Sequence, residues 1–149
     1  MSLPKFVKLS SENYPLIGRA ESVSFPELSL DSIEAKVDTG AYTSSIHCHS
    51  VVADGEKVHC IFLDPSHPHY TGETLTFKVK KKVKVRSSNG IQEERIMITT
   101  KVTLLDQTFK IRLTLNDRSN MRYPVLLGRH FLKKKFLVDV TLKNQSLKS

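Results

Sequence analysis

The chain has 149 residues, of which 39% are hydrophobic and 26% are charged. This length fits one domain that buries its own core without disulfide or metal staples, and the composition excludes an intrinsically disordered chain. Residues 1–7 lack the apolar run of a signal peptide, and no stretch reaches membrane-spanning length, so we expect a cytoplasmic protein without a membrane partner.

The formal net charge of +8 indicates an anionic partner, because a basic surface concentrates acidic ligands around a protein. The charge alone does not say which anion. Cys48 and Cys60 are the two cysteines, a number that fits a reduced cytosolic protein and leaves a single disulfide open. The chain has no Trp and many Val, Ile, Thr and Phe residues, which favours a mainly β fold.

Short strands with turn signals between them are predicted through the first half of the chain. Residues 33–37 alternate apolar and polar side chains, as a half-buried strand does, and they end at Asp38. The other predicted extended segments of this half are residues 5–9, 14–25, 43–48 and 58–63.

Two hairpins and one short helix are predicted in the second half. Residues 76–85 and 91–100 read as long strands around Asn89 and Gly90, and Asn-Gly is a strong hairpin signal. The remaining predicted elements are a hairpin of residues 103–105 and 108–115, an inner strand at 125–127, a helix at 129–135 that depends on packing by Phe131 and Leu132, and a closing segment at 136–142. We therefore expect a single domain over residues 1–149, with a core of about 15–142 and a polar, frayed tail at 143–149.

Residues 35–41 (Ala-Lys-Val-Asp-Thr-Gly-Ala) carry the chemistry of most interest. A strand that runs into Asp-Thr-Gly is how an aspartic protease presents its carboxylate. Asp38 would pair with a second carboxylate to activate water, Thr39 would anchor the loop through its hydroxyl, and Gly40 would allow a tight turn. The same three residues also read as an ordinary turn that closes a strand.

A second stretch, residues 123–132 (Tyr-Pro-Val-Leu-Leu-Gly-Arg-His-Phe-Leu), has an apolar strand followed by Gly-Arg and a helical pattern. With these two stretches the chain resembles the bacterial retropepsin-like aspartic proteases of the DUF785 type, which carry the label "ATP-dependent zinc protease" and are associated with RimK-type glutamate ligases. The matching blocks are residues 36–41, 43–47, 85–90, 126–129 and 136–139, in the order of that family.

The resemblance implies a mainly β, retropepsin-like closed β barrel with one short C-terminal helix. It makes Asp38, Thr39 and Gly40 the catalytic loop. It also implies that a hairpin flap covers an extended peptide. Substrate-binding positions would be Ala41, Tyr42, Ser87, Ser88, Asn89, Gly90 and Arg129.

One Asp-Thr-Gly supplies one carboxylate, so a two-carboxylate site requires an isologous homodimer with Asp38 from each protomer. We therefore expect an aspartic endopeptidase that cleaves a peptide or peptide-like substrate, with acidic or glutamylated chains as candidates, without a cofactor. The alternative is a non-catalytic peptide-binding module on the same fold.

Two positions depart from the pattern of retroviral relatives. Tyr42 stands where an acid usually follows Asp-Thr-Gly-Ala, and His130 stands where Asn or Asp usually follows Gly-Arg. The usual internal pairing of Arg129 is therefore in doubt. Arg129 could brace the dimer, bind a substrate carboxylate, or simply start a helix at the surface.

The label of the resembled family raises zinc and ATP, and the sequence favours neither. His and Cys residues cluster at 47–49, 59–60 and 67–69, but His-Glu-x-x-His and Cys-x-x-Cys are absent, although adjacent strands could still assemble a site. A phosphate loop of the Gly-x-x-x-x-Gly-Lys type is absent as well. We predict no metal site and no cofactor.

Residues 78–86 place Lys78, Lys80, Lys82, Lys84 and Arg86 on one side of a predicted strand. This face is either simply solvated or attracts an acidic peptide, which would suit a family linked to glutamate ligases. A phosphate-backbone contact is the third reading. Aromatic residues do not interleave with the lysines, so we do not expect a nucleic-acid partner.

Overall fold

A computed structural model describes residues 13–86, 90–117 and 122–148. Most of these residues lie in strands, and their bounds are β1 (Leu16–Ile17), β2 (Ala20–Phe25), β3 (Leu30–Val37), β4 (Ser44–Asp54), β5 (Lys57–Phe62), β6 (Leu75–Lys78), β7 (Lys81–Arg86), β8 (Gln92–Leu104), β9 (Gln107–Asn116), β10 (Val125–Leu127) and β11 (Leu137–Val138). The helix α1 spans Arg129–Leu132, and 3₁₀ turns lie at Pro26–Leu28 and Gln145–Leu147. Within these ranges no helix is both long enough and apolar enough to span a bilayer.

Six strands close into a barrel in the order β10, β3, β2, β8, β9, β4 and back to β10. The short strand β10 makes the closure, since it pairs parallel to β3 and antiparallel to β4. Closure leaves these six strands without a free sheet edge. The predicted closed β barrel with one short helix is therefore confirmed. Strands β5, β6 and β7 extend the sheet beyond the barrel, and β1 and β11 form a separate parallel pair.

Alternation along the strands builds the barrel core. In β3, Ile33, Ala35 and Val37 are buried while Glu34 and Lys36 are exposed, as the period-two pattern predicts. Each buried aliphatic side chain of the size of Val or Ile contributes about 1.5 to 3 kcal/mol by leaving water. The largest buried apolar side chains of the barrel strands include Val23, Phe25, Ile33, Ile46, Ile98, Leu113 and Leu127.

The prediction of one strand over residues 76–85 is wrong, because the backbone changes partner in the middle. Strand β6 pairs with β5, whereas β7 pairs with β8. Between them the Val79 amide donates to Glu56 O at 2.8 Å and the Lys80 amide donates to Met97 O at 2.8 Å. The basic side chains of this segment therefore lie on two strands and on the link between them, rather than on one face of a single strand.

The single strand predicted over residues 14–25 is also divided. It breaks at Gly18 and Arg19, where the Arg19 amide donates to Leu142 O at 2.8 Å. The break separates two sheets, because β1 before it pairs with β11 and β2 after it joins the barrel. The strand predicted at 5–9 lies outside the described residues.

The predicted helix at 129–135 is shorter than expected. It ends at Leu132, because Lys133 is extended and Lys134 has a positive φ of 61°. Phe131 packs edge-on against Phe109 at 5.8 Å between ring centroids. Packing therefore supports this short helix, as the sequence predicted.

The polar tail is tied to the barrel, where fraying was expected. Glu21 is fully buried, and its carboxylate accepts the backbone amides of Gly18 at 2.8 Å, Gln145 at 3.1 Å and Ser146 at 2.7 Å. The Asn144 amide also donates to Ala20 O at 2.8 Å. A buried carboxylate is tolerated here because backbone donors surround it.

Both cysteines are free and buried on neighbouring strands, Cys48 on β4 and Cys60 on β5. Burial raises the pKa of Cys60 to about 11. Burial, together with the nearby Cys60, also raises the pKa of Cys48 well above its usual value. Since only the thiolate is nucleophilic, these thiols are protected chemically as well as sterically.

We therefore expect the folded protein at pH 8 to leave both thiols unmodified by a thiol-reactive dye such as Ellman's reagent. The same protein in guanidinium should release dye equivalent to both cysteines, because unfolding exposes them and restores an ordinary pKa. Rapid reaction of either thiol in the native protein would contradict the burial of Cys48 and Cys60.

Candidate active site

Asp38 directly follows β3, and the neighbouring strands fix its backbone. Its amide donates to Leu127 O of β10 at 2.9 Å. One residue earlier, the Val37 amide donates to Arg19 O at 2.9 Å. The end of β3 is thus held from both sides, which places Asp38 where β3, β10 and the start of β4 meet.

The Asp38 carboxylate is partly exposed, with 26% of its side chain accessible to solvent. Its Oδ1 accepts the Gly40 amide at 3.0 Å, so the Asp-Thr-Gly loop orients its own acid. Its Oδ2 lies 3.9 Å from Lys36 Nζ. One oxygen is therefore fixed by the backbone, while the other lies near a lysine in a side chain that is partly open to solvent.

The loop from Asp38 to Thr43 docks on the start of α1. The Arg129 amide donates to Ala41 O at 2.8 Å, and the His130 amide donates to Tyr42 O at 2.9 Å. The Gly128 amide donates to the Ser44 hydroxyl at 3.0 Å. These three backbone donors attach the loop to residues 123–132, the second stretch that the sequence analysis identified.

The Arg129 side chain contacts the candidate catalytic loop. One of its terminal nitrogens donates to Thr39 O at 3.0 Å, and its Cζ lies 5.7 Å from the centre of the Tyr42 ring. Thr39 is held here through its carbonyl rather than through the hydroxyl that the sequence suggested. The internal pairing of Arg129, which the Tyr42 and His130 departures put in doubt, is thus replaced by a carbonyl and an aromatic ring.

Tyr42 presents its ring at the surface, with 53% of the residue exposed. The His130 ring lies 5.5 Å away, centroid to centroid, and Lys133 Nζ lies 6.0 Å from the Tyr42 ring centre. The side chains around this loop are therefore aromatic and cationic. Among the described residues, the loop itself supplies one carboxylate, that of Asp38.

A cavity of about 490 Å³ opens beside Asp38, and we call it the Lys36 cavity. Its lining is Arg19, Lys36, Val37, Arg122, Tyr123 and Leu126. Three of these six described residues are cationic, and none of them is acidic. The cavity therefore joins apolar and cationic side chains, and one of these cations, Lys36, also lies 3.9 Å from Asp38 Oδ2 through its Nζ.

Sequence reasoning missed the cationic residues of the Lys36 cavity. Lys36 carried a weak signal, since it is the exposed residue two before Asp38 on an alternating strand. Arg19 and Arg122 carried none, because the fold alone brings them together. The Arg19 guanidinium donates to Thr141 O at 3.3 Å and to Leu142 O at 3.4 Å, contacts that span the chain.

The candidate flap is only partly described. Strands β7 and β8 form the predicted hairpin, with Arg86 opposite Gln92 at its described end. Gly90 has a positive φ of 83°. Ser87, Ser88 and Asn89 lie outside the described residues, so their assignment to substrate binding stays a prediction.

The His and Cys clusters do not fit a zinc site. His59 contacts Thr76 at 2.7 Å and Asp54 at 3.2 Å, while His47 Nε2 lies 3.5 Å from Asp64. Within the described ranges no three His, Cys, Asp or Glu side chains converge as metal ligands do. These histidines are engaged in separate pairs, an arrangement that does not suit a tetrahedral ion.

Comparison with known proteins gives one family and several relatives. Residues 16–148 match the family described as RimB-like, retropepsin-like aspartic endopeptidase RimB. Proteins named "Probable alpha-L-glutamate ligase" from Shewanella pealeana and Parasynechococcus marenigrum are 35% and 33% identical over 136 and 129 residues. The matches cover 87% and 83% of this chain, which spans less than a third of those relatives, at 29% and 28% of their lengths.

A solved structure has the same fold. The protein Lpg0085 of Legionella pneumophila, described as a DUF785 protein of unknown function, superposes with a TM-score of 0.71 at 21% identity. The match covers 90% of this chain and 99% of that one. Because the family match extends over nearly all of the described barrel, the chain belongs to the RimB-like family of retropepsin-like aspartic endopeptidases.

Proposed function

We propose that this protein is an aspartic endopeptidase that works as a homodimer and cleaves acidic, glutamate-rich peptides. Its catalytic pair would be Asp38 of both protomers. The Lys36 cavity, next to Asp38, is the observation that supports an acidic substrate. The described residues that line it include three cations and no acid. An acidic side chain next to the scissile bond would find opposite charge there.

The relatives support the same substrate class. They are named for alpha-L-glutamate ligation, and this chain corresponds to less than a third of their length. A peptidase domain within a glutamate ligase would reverse or trim what the ligase adds. A functional link of this chain to a RimK-type glutamate ligase is part of the proposal.

The homodimer is needed because each protomer presents one Asp-Thr-Gly loop. Two carboxylates that lie within hydrogen-bonding distance of each other share one proton, because both cannot be ionised when their negative charges are so close. The pair then has an ionised member to act as the base and a protonated member to act as the acid.

The reaction needs only this pair and a water. The ionised Asp38 takes a proton from water as the water oxygen bonds to the peptide carbonyl carbon, while the protonated Asp38 gives its proton to the carbonyl oxygen. The resulting diol then breaks its C–N bond. The departing nitrogen takes a proton from one carboxyl, and a diol hydroxyl returns a proton to the other carboxylate, which restores the starting pair.

Peptides of equal length that differ in charge test the proposal. We expect a glutamate-rich peptide to be cleaved at least about tenfold faster than its glutamine counterpart, because each carboxylate gains a charge-assisted contact. Arg122→Gln should lower that preference by about three- to tenfold, since it removes one cation of the Lys36 cavity. Product formation is followed by mass spectrometry.

The exposed Lys101→Gln variant is the matched control, because it changes net charge by the same amount on β8 outside the Lys36 cavity. Equal cleavage of the two peptides would overturn the acidic specificity. Tight binding of the glutamate-rich peptide without any cleavage would favour the non-catalytic peptide-binding module instead.

A further inference from the structure

A second cavity lies between the loop after Asp38 and the base of the candidate flap hairpin, and we call it the Arg112 cavity. Its volume is about 220 Å³. Tyr42 and Thr43 of the loop form one wall, and Lys81 at the start of β7 forms another. An extended peptide that passes Asp38 and runs under the hairpin would lie across this opening.

The strand register brings two cations to the same face of the sheet. Lys81 lies opposite Met97, and Arg112 lies opposite Thr99 on the same central strand β8. Met97 and Thr99 are two residues apart, so their side chains point to one face, and their directly opposed partners share it. Lys81 and Arg112 both line the cavity.

Positive charge is concentrated around this cavity. His130 also lines it, and the pKa of His130 is lowered by burial and by the charges of Arg112, Lys133, Lys135 and Lys81. Among the described residues that line the cavity, none is acidic. Within the described part of the chain, neither Lys81 nor Arg112 belongs to an ion pair.

The floor of the cavity is apolar, which separates it from an ordinary solvated basic surface. Met97 is only 5% exposed and Val83 is partly buried. An apolar floor under a cationic rim suits a side chain with methylene groups and a terminal carboxylate, as in glutamate. The Lys36 cavity has the same combination of an apolar wall and a positive rim.

We propose that Arg112 and Lys81 form a second acidic subsite, which binds a carboxylate side chain several residues away from the scissile bond of the same peptide. The inference rests on the proposed function and extends it. Two cationic cavities along one peptide path would select chains with carboxylates at more than one position, rather than peptides with a single acidic residue. Arg112 and Lys81 are then specificity residues and take no part in the chemistry.

Binding to the Asp38→Asn variant tests the subsite without needing cleavage. The probe is a fluorescently labelled hexaglutamate, together with six versions in which one glutamate is replaced by glutamine. We expect Arg112→Gln to weaken hexaglutamate binding by about three- to tenfold, and Lys81→Gln by about two- to fivefold, because each substitution removes an exposed cation that would contact a carboxylate. Lys101→Gln, on the exposed part of β8, should change binding less than about twofold.

The position scan separates a subsite from general attraction. If Arg112 contacts one glutamate side chain, the peptide with glutamine at that position has already lost the contact. Arg112→Gln should then not reduce the affinity for this peptide further, while it still reduces the affinity for the other five. A uniform loss for all six peptides would overturn the subsite and leave only long-range attraction. Stronger competition by a single-stranded oligonucleotide of equal charge would also overturn it, in favour of a nucleic-acid ligand.

Failure of the subsite and failure of the proposed function can be told apart. A wild-type chain that binds position-specifically but never cleaves would defeat the endopeptidase and keep the subsite. If the wild-type chain cleaves acidic peptides, but Arg112→Gln weakens all six single-glutamine peptides equally, the endopeptidase proposal stands and the subsite proposal is wrong.

Discussion

Replacing Asp38 with asparagine is expected to lower peptide cleavage by about 10³-fold or more, because the amide can neither take a proton from water nor share one with its partner. The fold should survive, since the side-chain oxygen of the introduced asparagine can still accept the Gly40 amide that Asp38 Oδ1 accepts at 3.0 Å. The measurement is the kcat for a glutamate-rich peptide, with thermal unfolding as the check on folding.

Asp106→Asn is the matched control for this change. Asp106 is exposed in the β8–β9 turn and has a positive φ of 62°, a conformation that asparagine accepts well. Its replacement should leave cleavage unchanged. Full activity of the Asp38 variant would remove Asp38 from the chemistry and leave peptide binding as the better account.

Mixing the two chains tests whether the pair spans a dimer. If wild-type and Asp38→Asn protomers exchange freely in equal amounts, only about a quarter of the dimers carry two aspartates, so activity per total dimer should fall to about a quarter. An active monomer would give about one half, because each wild-type chain would then work alone. The subunits are mixed under dissociating conditions and returned to assay buffer before the measurement.

The local parts of the fold were predictable because their signals are local. Residues 33–37 alternate cleanly, and the structure buries Ile33, Ala35 and Val37. The inner strand at Val125–Leu127 was also correct, and the turn of the predicted hairpin lies one residue earlier than expected, at residues 105–106. The alternation of apolar and polar side chains shows which face of a segment is buried, and turn residues show where the segment ends. Both signals predict a strand without specifying which strand it pairs with.

Partner choice was not predictable from the same signals. The segment around Val79 and Lys80 contains neither Gly nor Pro, and three consecutive lysines at residues 80–82 are the only interruption of its alternation near the break between β6 and β7. Only the tertiary hydrogen bonds to Glu56 and Met97 show that the backbone changes sheet there. The tail was misjudged for the same reason, because its anchor, Glu21, lies more than 120 residues earlier.

The candidate site divides in the same way. Asp38 and Arg129 could be named from short motifs, because each motif sits in one loop or at one helix start. The two cavities could not, since each is assembled from residues on several strands whose charges have no common spacing in the sequence. The net charge of +8 predicted an anionic partner, and the fold shows where part of that charge meets the Asp38 loop.

Gly128→Ala is expected to destabilise the protein by about 2 to 4 kcal/mol, through crowding and the loss of backbone hydrogen bonds. An added Cβ would lie 2.7 Å from Tyr42 O and 2.8 Å from the carbonyl carbon and oxygen of Thr43. These are backbone atoms, so the loop itself must move. The backbone angles of Gly128, φ −95° and ψ 175°, suit any residue, so the requirement for glycine is space alone.

The same movement should impair catalysis. Separation of the loop from α1 stretches the bonds from Arg129 and His130 to Ala41 O and Tyr42 O, now 2.8 and 2.9 Å, and it shifts Asp38 with them. A displacement of about 1 Å at a reacting group costs about 10²-fold in rate. Urea unfolding gives the stability change, and kcat is measured on the fraction that remains folded.

Gly55→Ala separates this effect from a general loss of stability. Gly55 has a positive φ of 60° with open space around it, so alanine there brings backbone strain of about 1 to 2 kcal/mol without crowding any neighbour. It lies in the β4–β5 turn, outside both cavities, and kcat should not change. If Gly128→Ala instead had the wild-type free energy of unfolding and the wild-type kcat, the close approach of α1 to the Asp38 loop would not be what holds the carboxylate in place.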